Sequence, residues 1–317
     1  MISCSFLSVF YEYHQCKKSG KPLPDFENYM EAENAWMNFY GLGRLEAYRF
    51  IYSECTGVGH LQDWLIGLKG AAQVQEAAAA FERWARQEKT NSIAADTAFF
   101  PLSDAQIQHW EKQGYVKVSG LVDEHLCDAV INMICKKLGA DMAVPSTWYS
   151  GHTDWHGLML QVYQDESINA IKQLPAIRQL FAGLYGTANI AANTEKVSFN
   201  PPETASWKFA HNKLHWDIDF ENADIYYIQG LVYLNDVPEN RGPLTLVPGF
   251  HRRFESWMAT HPNPHEAHLA MQNAFTGTPV PGKKGDIILW QQTLPHAASA
   301  NRSDLPRFVQ YISFSKL

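Results

Sequence analysis

Beyond Val144 the chain is a succession of short β-rich runs, and this pattern constrains the fold more than any other feature. Clusters of Gly, Pro, Asn and Asp separate the runs, as turns between strands require. Runs of this length and spacing predict an antiparallel sandwich or barrel, interrupted by one helix near residues 174–186. The runs are KVSF, DIYYIQGLVYL, GPLTLV, GDIILW and RFVQYISF.

The first third of the chain has a different periodicity. Between residues 25 and 90, apolar residues recur at intervals of three and four, which predicts three or four short helices. The polar stretch QEKTNSIAADT then reads as a linker. Ser103 is expected to cap a helix that runs to about residue 113, followed by a strand in GYVKVSG and a helix in VDEHLCDAVINMICKKL. We therefore expect a helical region at residues 1–95 and a mainly β domain with flanking helices at 100–317.

Charge and cysteine content exclude several classes of protein. The formal net charge is −7 and Lys and Arg form no run, which disfavours a nucleic-acid partner. Five scattered cysteines without a CxxC pair argue against a disulfide framework or a structural zinc knot. The N-terminus does not resemble a secretory signal, and no stretch of 18 apolar residues predicts a membrane span. We expect a soluble protein of the cytoplasm.

The motif His215-Trp216-Asp217 is the strongest sign of chemistry. In an extended strand residues i and i+2 face the same side, so this imidazole and this carboxylate can bind one metal ion. A second motif of this kind, His152-Thr153-Asp154, continues to His156. A third ligand on a later strand distinguishes the two motifs, because two histidines and one carboxylate leave coordination positions open. His296, after the run GDIILW, provides that ligand for His215 and Asp217.

Arg307 follows His296 by eleven residues and opens the last β-rich run. A guanidinium at this place can bind a carboxylate through two parallel hydrogen bonds. Arg302 is the competing candidate, but it lies in a turn, where a buried anion site is harder to build. The residues alone therefore predict a divalent metal with open positions beside an anchor for an organic acid.

Four ordered blocks of the sequence resemble the phytanoyl-CoA dioxygenase branch of the Fe(II)/2-oxoglutarate oxygenases. They are FPLSDAQIQHWEKQGYVKVSGLVD, HWD, RGPLTLVPGFHR and GDIILWQQTLPHAASANRSDLPR, which together extend over residues 100–307. The resemblance implies a double-stranded β-helix, also called a jelly roll or cupin-like core. It also implies that His215, Asp217 and His296 hold Fe(II), that Arg307 binds 2-oxoglutarate, and that O2 is the co-reactant.

The resemblance makes a hydroxylase of a small organic molecule, releasing succinate and CO2, the leading interpretation. Halogenases of this group replace the carboxylate by Gly or Ala, so Asp217 favours hydroxylation. Gln229, Tyr233 and Ser299 are candidates for further contacts with 2-oxoglutarate. Two places depart from the common pattern: Ala297-Ala298 follows the last histidine instead of Gly-Ser, and Leu231 stands where a Trp is common.

The aromatic segment VPSTWYSGHTDWHG is expected to form a lid over the site and to contact the substrate. The substrate-contacting candidates are Trp148, Tyr149, His152, Trp155 and Asp219, the last because it continues the alternation of HWDID. His211 is not expected to be a ligand.

Three alternatives remain open. The same iron site could serve desaturation, epimerisation or cyclisation. The substrate could be bound to a carrier protein, with the N-terminal region as docking surface, lid or homodimer interface. The third alternative is a cupin-like metal-binding protein without oxygenase activity, or a zinc hydrolase, neither of which needs Arg307.

Overall fold

The computed structural model describes residues 5–86, 99–210, 213–220 and 226–317, and the chain divides into two compact units. The first unit contains the described residues up to Phe99 together with Ala182–Thr194 and Phe314–Leu317. The second contains Phe100–Phe181 and Glu195–Ser313. The return of two later segments to the first unit is not visible in the sequence, because it depends on packing between distant segments.

Eleven α-helices lie within the described residues. The sequence predicted α2–α5 as three or four helices and also predicted α6, α7 and α9, whereas α1, α8, α10 and α11 were not expected. Ser103 caps α6 as predicted: its hydroxyl accepts from the Gln106 backbone, and the Gln106 side chain accepts from the Ser103 backbone. The helices are α1 (Ser5–Ser19), α2 (Tyr29–Tyr40), α3 (Arg44–Ser53), α4 (Val58–Lys69), α5 (Ala71–Ala85), α6 (Asp104–Gln113), α7 (Glu124–Leu138), α8 (Glu166–Lys172), α9 (Pro175–Tyr185), α10 (Phe254–Thr260) and α11 (Pro264–Ala274). None of these described helices is long and apolar enough to span a membrane.

Helices α1–α5 pack around an aromatic core in the first unit. Phe10 stacks on Trp36 with ring centroids 4.8 Å apart, and both side chains are fully buried. Leu317, the last residue of the given sequence, packs against the same core. The helical core therefore depends on contacts with the end of the last strand as well as on its own helices.

We expect deletion of residues 1–99 to lower the melting temperature of the remaining chain by about 10 °C or more. Strand β4, whose Ile190 is 2% exposed, contacts the deleted helix α2, and the partly buried Leu317 packs on the deleted core. Full burial of a side chain of this size contributes about 1.5–3 kcal/mol. In a chain of this size, 1 kcal/mol corresponds to roughly 2–4 °C. Differential scanning calorimetry measures the shift, and a truncated chain that melts with the full-length protein would contradict the prediction.

Eleven β-strands lie within the described residues; β1, β5, β6, β7, β9 and β11 correspond to the predicted runs, whereas β2, β3, β4, β8 and β10 were not expected. They are β1 (Tyr115–Val118), β2 (Trp155–His156), β3 (Met159–Leu160), β4 (Ile190–Ala192), β5 (Val197–Asn200), β6 (Ile228–Tyr233), β7 (Leu244–Leu246), β8 (Thr278–Val280), β9 (Ile287–Gln291), β10 (His296–Ala298) and β11 (Arg307–Lys316).

The strands form two antiparallel sheets. The larger has the order β1-β9-β6-β11-β5-β3-β2, and β4 pairs with the end of β11 in the first unit. The smaller has the order β10-β7-β8. Every pairing between these strands is antiparallel. The chain is thus a mixed helix and sheet protein with antiparallel sheets.

One hydrophobic core joins the two sheets of the second unit. Alternate residues of β6, β9 and β11, such as Leu231, Ile288 and Val309, share one cluster with Leu244 and Leu246 of the smaller sheet. Because side chains alternate along a strand, the same face of the larger sheet carries Ser198, Gln229, Trp290 and Arg307. The side chains with predicted roles in chemistry therefore share the inner face with the core.

Candidate active site

The two histidines of the predicted site are direct backbone neighbours. The His215 N–H donates to the carbonyl of His296 over 2.9 Å, and the His296 N–H donates to the carbonyl of His215 over 3.0 Å. His215 forms this isolated bridge instead of belonging to the longer strand that the HWDID alternation predicted. The alternation itself persists, because Trp216 is buried against Phe250 and Phe254 whereas Asp217 is exposed.

His215, Asp217 and His296 converge on one point. One ligand atom from each lies within 4.8 Å of the others. The Asp217 Oδ2 lies 3.3 Å from the His296 Nε2, and the Asp217 Oδ1 lies 3.8 Å from the His215 Nε2. Among the described residues, these three side chains form the cluster that could bind a metal ion, called the metal-like cluster below. The predicted motif and the later histidine are therefore brought together.

The hydrogen bonds of the two imidazoles show which nitrogen faces the carboxylate. The His215 Nδ1 lies 3.1 Å from the carbonyl of Lys213, and the His296 Nδ1 lies 3.1 Å from the carbonyl of Leu294. A carbonyl only accepts, so both Nδ1 atoms carry a hydrogen, and in the neutral form of either ring the Nε2 presents a lone pair. Lone pairs that face a carboxylate oxygen need a positive charge between them, which a proton or a metal ion supplies.

Electrostatics keep the donor set in a form that binds metals. The surrounding protein removes part of the hydration of the Asp217 carboxylate, which by itself would raise its pKa, but the hydrogen bond and charge of His296, followed by His215 and the Gln229 amide, hold this pKa below its usual range. Burial, reinforced by the neighbouring His296, lowers the pKa of His215 although Asp217 opposes the shift. At neutral pH the carboxyl is therefore ionised and the His215 ring is neutral, as metal ligation requires.

Arg307 is a buried cation on the inner face of the larger sheet. Arg307 is 1% exposed. Its Nη1 donates to the carbonyl of Gly242 over 2.6 Å, and its Nη2 donates to the Ser198 hydroxyl over 3.0 Å. Its Nε finds no partner, and no carboxylate of the described residues forms an ion pair with it. A buried guanidinium without a counter-charge is costly, so a carboxylate ligand fits this place.

The carbonyl of Gly242, which accepts from the Arg307 Nη1, lies in a tight turn. The φ of Gly242 is +65°, and an added Cβ would lie 2.6 Å from the Asn200 Nδ2 and 2.7 Å from the Ser299 carbonyl. Only glycine fits so tight a turn without strain. The Ser299 hydroxyl donates to the carbonyl of Pro243 over 2.7 Å, which ties the same turn to the segment after β10. Ser299 thus supports the surroundings of Arg307.

Two residues that the sequence reasoning missed complete the site. Tyr311 lies on the same face of β11 as Arg307 and hydrogen-bonds Ser198, and the charges of both Arg307 and Asp217 affect its pKa. Burial raises the pKa of Tyr311, although the Arg307 charge opposes the shift. The second is Trp290, whose ring centroid lies 5.3 Å from that of His296. Alternation along RFVQYISF and GDIILW was the available signal, because it places both residues on the inner face.

Two predicted contacts with 2-oxoglutarate are placed differently from expectation. The Tyr233 hydroxyl donates to the carbonyl of Val280 and accepts from the Leu244 N–H, and the residue is fully buried. The interpretation of Tyr233 as a cosubstrate contact is therefore wrong, because its hydroxyl is committed to the backbone. The Gln229 amide donates to the Asp217 Oδ2 over 2.8 Å and so reaches the carboxylate ligand candidate itself.

The aromatic segment around residues 145–156 does not form the predicted lid in full. Trp148 is 3% exposed and its Nε1 donates to the Asp141 carbonyl, so it is a packing residue and not a substrate contact. Trp155 packs edge-on against Phe199, which alternates with Ser198 and therefore faces away from Arg307. Tyr149 donates to the carbonyl of Pro202.

The side chains of the competing motif, His152-Thr153-Asp154, make contacts that do not involve a metal site. Asp154 pairs with the Lys137 Nζ at 2.9 Å, and the His152 Nδ1 accepts from the Asp154 N–H. These residues are not part of the metal-like cluster of the described chain. Asp219 is exposed, and it continues the alternation of side chains that begins at His215. His211 and the whole of the predicted linker lie outside the described residues.

Comparison with known sequences agrees with this geometry. The phytanoyl-CoA dioxygenase (PhyH) family matches residues 110–309, which is more than half of the chain. The matched region includes the candidate metal ligands His215, Asp217 and His296 and the candidate anchor Arg307. The chain belongs to the phytanoyl-CoA dioxygenase family. The protein is accordingly an Fe(II)- and 2-oxoglutarate-dependent dioxygenase, an oxidoreductase that uses O2.

Two curated relatives illustrate the family. A putative phytanoyl-CoA dioxygenase of Dictyostelium discoideum is 22% identical over 259 residues, which cover 65% of this chain and 73% of that protein. An ectoine dioxygenase of Bordetella bronchiseptica is 25% identical over 243 residues, which cover 68% of this chain and 76% of that protein.

Solved structures share the fold. The non-heme alpha ketoglutarate dependent carbocyclase SnoK from nogalamycin biosynthesis is 19% identical, with a TM-score of 0.51 over 67% of this chain and 83% of that chain. The epimerase SnoN from the same biosynthesis is 20% identical, with a TM-score of 0.51 over 67% of this chain and 81% of that chain.

Proposed function

We propose that His215, Asp217 and His296 bind the iron, that Arg307 binds the distal carboxylate of 2-oxoglutarate, and that the enzyme hydroxylates a small organic molecule. We also propose that the two facing antiparallel sheets form a double-stranded β-helix with the iron at its mouth. The buried, unpaired guanidinium of Arg307 carries this proposal. A cation on the same inner face as a cluster of two histidines and one carboxylate matches the needs of a dicarboxylic cosubstrate.

The donor set fits Fe(II). Two imidazole nitrogens and one carboxylate oxygen on adjacent positions leave room for further ligands, which is typical of non-heme iron oxygenases. When bound, iron would supply the activation of O2 that drives oxidation of the substrate, with release of succinate and CO2. The Asp217 carboxylate offsets the charge of the ion, and the Nδ1 contacts to backbone carbonyls keep both imidazoles turned towards it.

Arg307 and its neighbours would hold the cosubstrate in one orientation. The Nη atoms are already fixed by Gly242 and Ser198, so the guanidinium plane is set before the ligand arrives. Tyr311 lies close enough to Arg307 and Asp217 for both charges to affect its pKa, and its hydroxyl can add a hydrogen bond to a carboxylate. Arg307 and Ser198 are buried, so electrostatic contacts of this guanidinium are stronger than they would be in water.

The chemistry of the product distinguishes hydroxylation from the other reactions that one iron site of this kind supports. The relatives include a carbocyclase, an epimerase and ectoine dioxygenases, so the same iron site could also serve cyclisation or epimerisation. Asp217 favours oxygen insertion over halogenation because a carboxylate fills the position that a halide would take. Mass spectrometry of the product separates the outcomes, since hydroxylation adds one oxygen atom and epimerisation adds none.

The helical first unit has no assigned role in this chemistry. We propose that it is a docking, lid or dimerisation element. Light scattering of the full-length protein tests the dimer, because a monomer at micromolar concentration would exclude it.

An anaerobic titration with Fe(II) and then 2-oxoglutarate tests the site assignment. We expect a visible charge-transfer band of the 2-oxoglutarate chelate in the wild type and its loss in His215→Ala. The His152→Ala variant is the matched control, since it changes the histidine of the competing motif and should keep the band. Iron binding without a band in the wild type would contradict the proposed cosubstrate site.

A further inference from the structure

The Gln229 side chain connects the candidate ligand Asp217 to the sheet behind it. Gln229 lies on β6 directly opposite Trp290 of β9. Its Nε2 donates to the Asp217 Oδ2 over 2.8 Å, and the Trp290 Nε1 donates to its Oε1 over 3.1 Å. The three side chains thus form a chain of hydrogen bonds from the core of the sheet to the carboxylate.

Trp290 determines which end of the amide faces Asp217. The indole N–H can only donate, so the atom of Gln229 next to it must be the oxygen. The amide nitrogen then points at the carboxylate. The opposite orientation would place the amide oxygen against an ionised carboxylate and the amide nitrogen against another donor, and both contacts would be repulsive.

Packing alone does not hold Asp217. Its side chain is 58% exposed, whereas the side chain of His296 is 6% exposed. The two histidines are also tied by their reciprocal backbone hydrogen bonds, and Asp217 lies two residues beyond that pair. An exposed aspartate samples several rotamers unless a side-chain contact selects one. The Gln229 hydrogen bond is such a contact, and it comes from a rigid strand.

Trp290 supports a second ligand candidate as well. It is 2% exposed, and its ring packs against the His296 imidazole at 5.3 Å between centroids. One buried indole therefore contacts His296 through its ring and reaches Asp217 through Gln229. A change at Trp290 should disturb both ligands, whereas a change at Gln229 should disturb Asp217.

We propose that Gln229, oriented by Trp290, is a positioning residue that fixes the Asp217 carboxylate in its metal-binding orientation and thereby sets the affinity for iron. The inference rests on the proposed function, because it assumes that Asp217 binds the metal. It replaces the interpretation of Gln229 as a contact to 2-oxoglutarate.

The test is the dissociation constant of Fe(II), measured anaerobically by calorimetry on the full chain in the absence of 2-oxoglutarate. Gln229→Met keeps the length of the side chain and removes the donor. We expect about 10- to 100-fold weaker binding, the usual effect of losing a hydrogen bond to a metal ligand. Gln229→Ala is the second variant if the first folds poorly. Trp290→Phe should weaken binding less in the Gln229→Met background than in the wild type, because part of its effect passes through Gln229.

The matched control is Gln310→Met. Gln310 is another buried glutamine of the larger sheet, but it alternates with Tyr311 and donates to the Ile168 carbonyl on the opposite face. It should lower the melting temperature and leave iron affinity unchanged. If both glutamine variants weaken iron binding equally, Gln229 is merely structural and the inference is wrong.

A His215→Ala variant distinguishes failure of the proposed role of Gln229 from failure of the proposed metal site. If it loses iron while Gln229→Met binds iron as the wild type does, this inference alone is overturned. If His215→Ala keeps the wild-type affinity, the assignment of the metal site is wrong and the inference falls with it.

Discussion

Replacing Asp217 by alanine is expected to weaken Fe(II) binding by more than about 100-fold, beyond the usual effect of losing a hydrogen bond to a ligand, and to abolish succinate release. The variant removes one of three converging donors and the negative charge among them. The two imidazoles that remain are neutral ligands, so they cannot offset the charge of the ion. Anaerobic calorimetry measures the affinity, and succinate quantification with excess iron measures the residual activity.

Asp154→Ala is the matched control for this variant. It removes the carboxylate of the competing His-x-Asp motif, which pairs with Lys137 and lies outside the metal-like cluster of the described residues. We expect wild-type iron affinity. Equal losses in the two variants would indicate a general effect on folding, and unchanged iron binding in Asp217→Ala would contradict the ligand assignment.

Replacing Arg307 by alanine is expected to weaken 2-oxoglutarate binding by about 100-fold or more while iron affinity stays near that of the wild type. Two charge-assisted hydrogen bonds at about 1.5–3 kcal/mol each account for a loss of this size. The Gly242 carbonyl and the Ser198 hydroxyl also lose their donor, so the melting temperature should fall. Arg307→Lys should recover part of the affinity because it restores a charge but not the planar, forked geometry.

Arg302→Ala separates the anchor from a general loss of positive charge. Arg302 is 76% exposed and lies 3.7 Å from the Glu203 carboxylate, so it is a surface residue. Its removal should leave the dissociation constant of 2-oxoglutarate unchanged. If this variant and Arg307→Ala weaken 2-oxoglutarate binding equally, the anchor is not Arg307.

The proposed iron-binding triad could be predicted from the sequence because its spacing follows from the geometry of an extended chain. Alternation brings His215 and Asp217 to one side of an extended segment, and the run GDIILW delivers His296 beside them. Strands β1, β5, β6, β7, β9 and β11 could be predicted because turn residues mark the ends of their runs, whereas the two- and three-residue strands β2, β3, β4, β8 and β10 were missed. Arg307 could be proposed as the anchor because it opens a β-rich run eleven residues after His296.

The rest of the site depends on contacts that spacing does not encode. The orientation of the Gln229 amide follows from Trp290 on another strand, and the commitment of the Tyr233 hydroxyl follows from Val280 and Leu244. Trp148 and Trp155 pack into the protein where the sequence suggested a lid, because composition does not distinguish a lid from a packed loop. Helices α10 and α11 were missed because the surrounding strand pattern outweighed their weaker periodicity.

The reciprocal backbone pairing of His215 with His296 also bears on how such an enzyme acquires new reactions. The spacing of the two nitrogen donors is a property of the main chain, so it persists when neighbouring side chains change. The carboxylate is held by side-chain contacts to Gln229 and His296, and it stands on an exposed position. Substitution at 217 should therefore leave the paired histidines in place, which makes this position the least disruptive one at which evolution or a protein engineer could admit a different ligand.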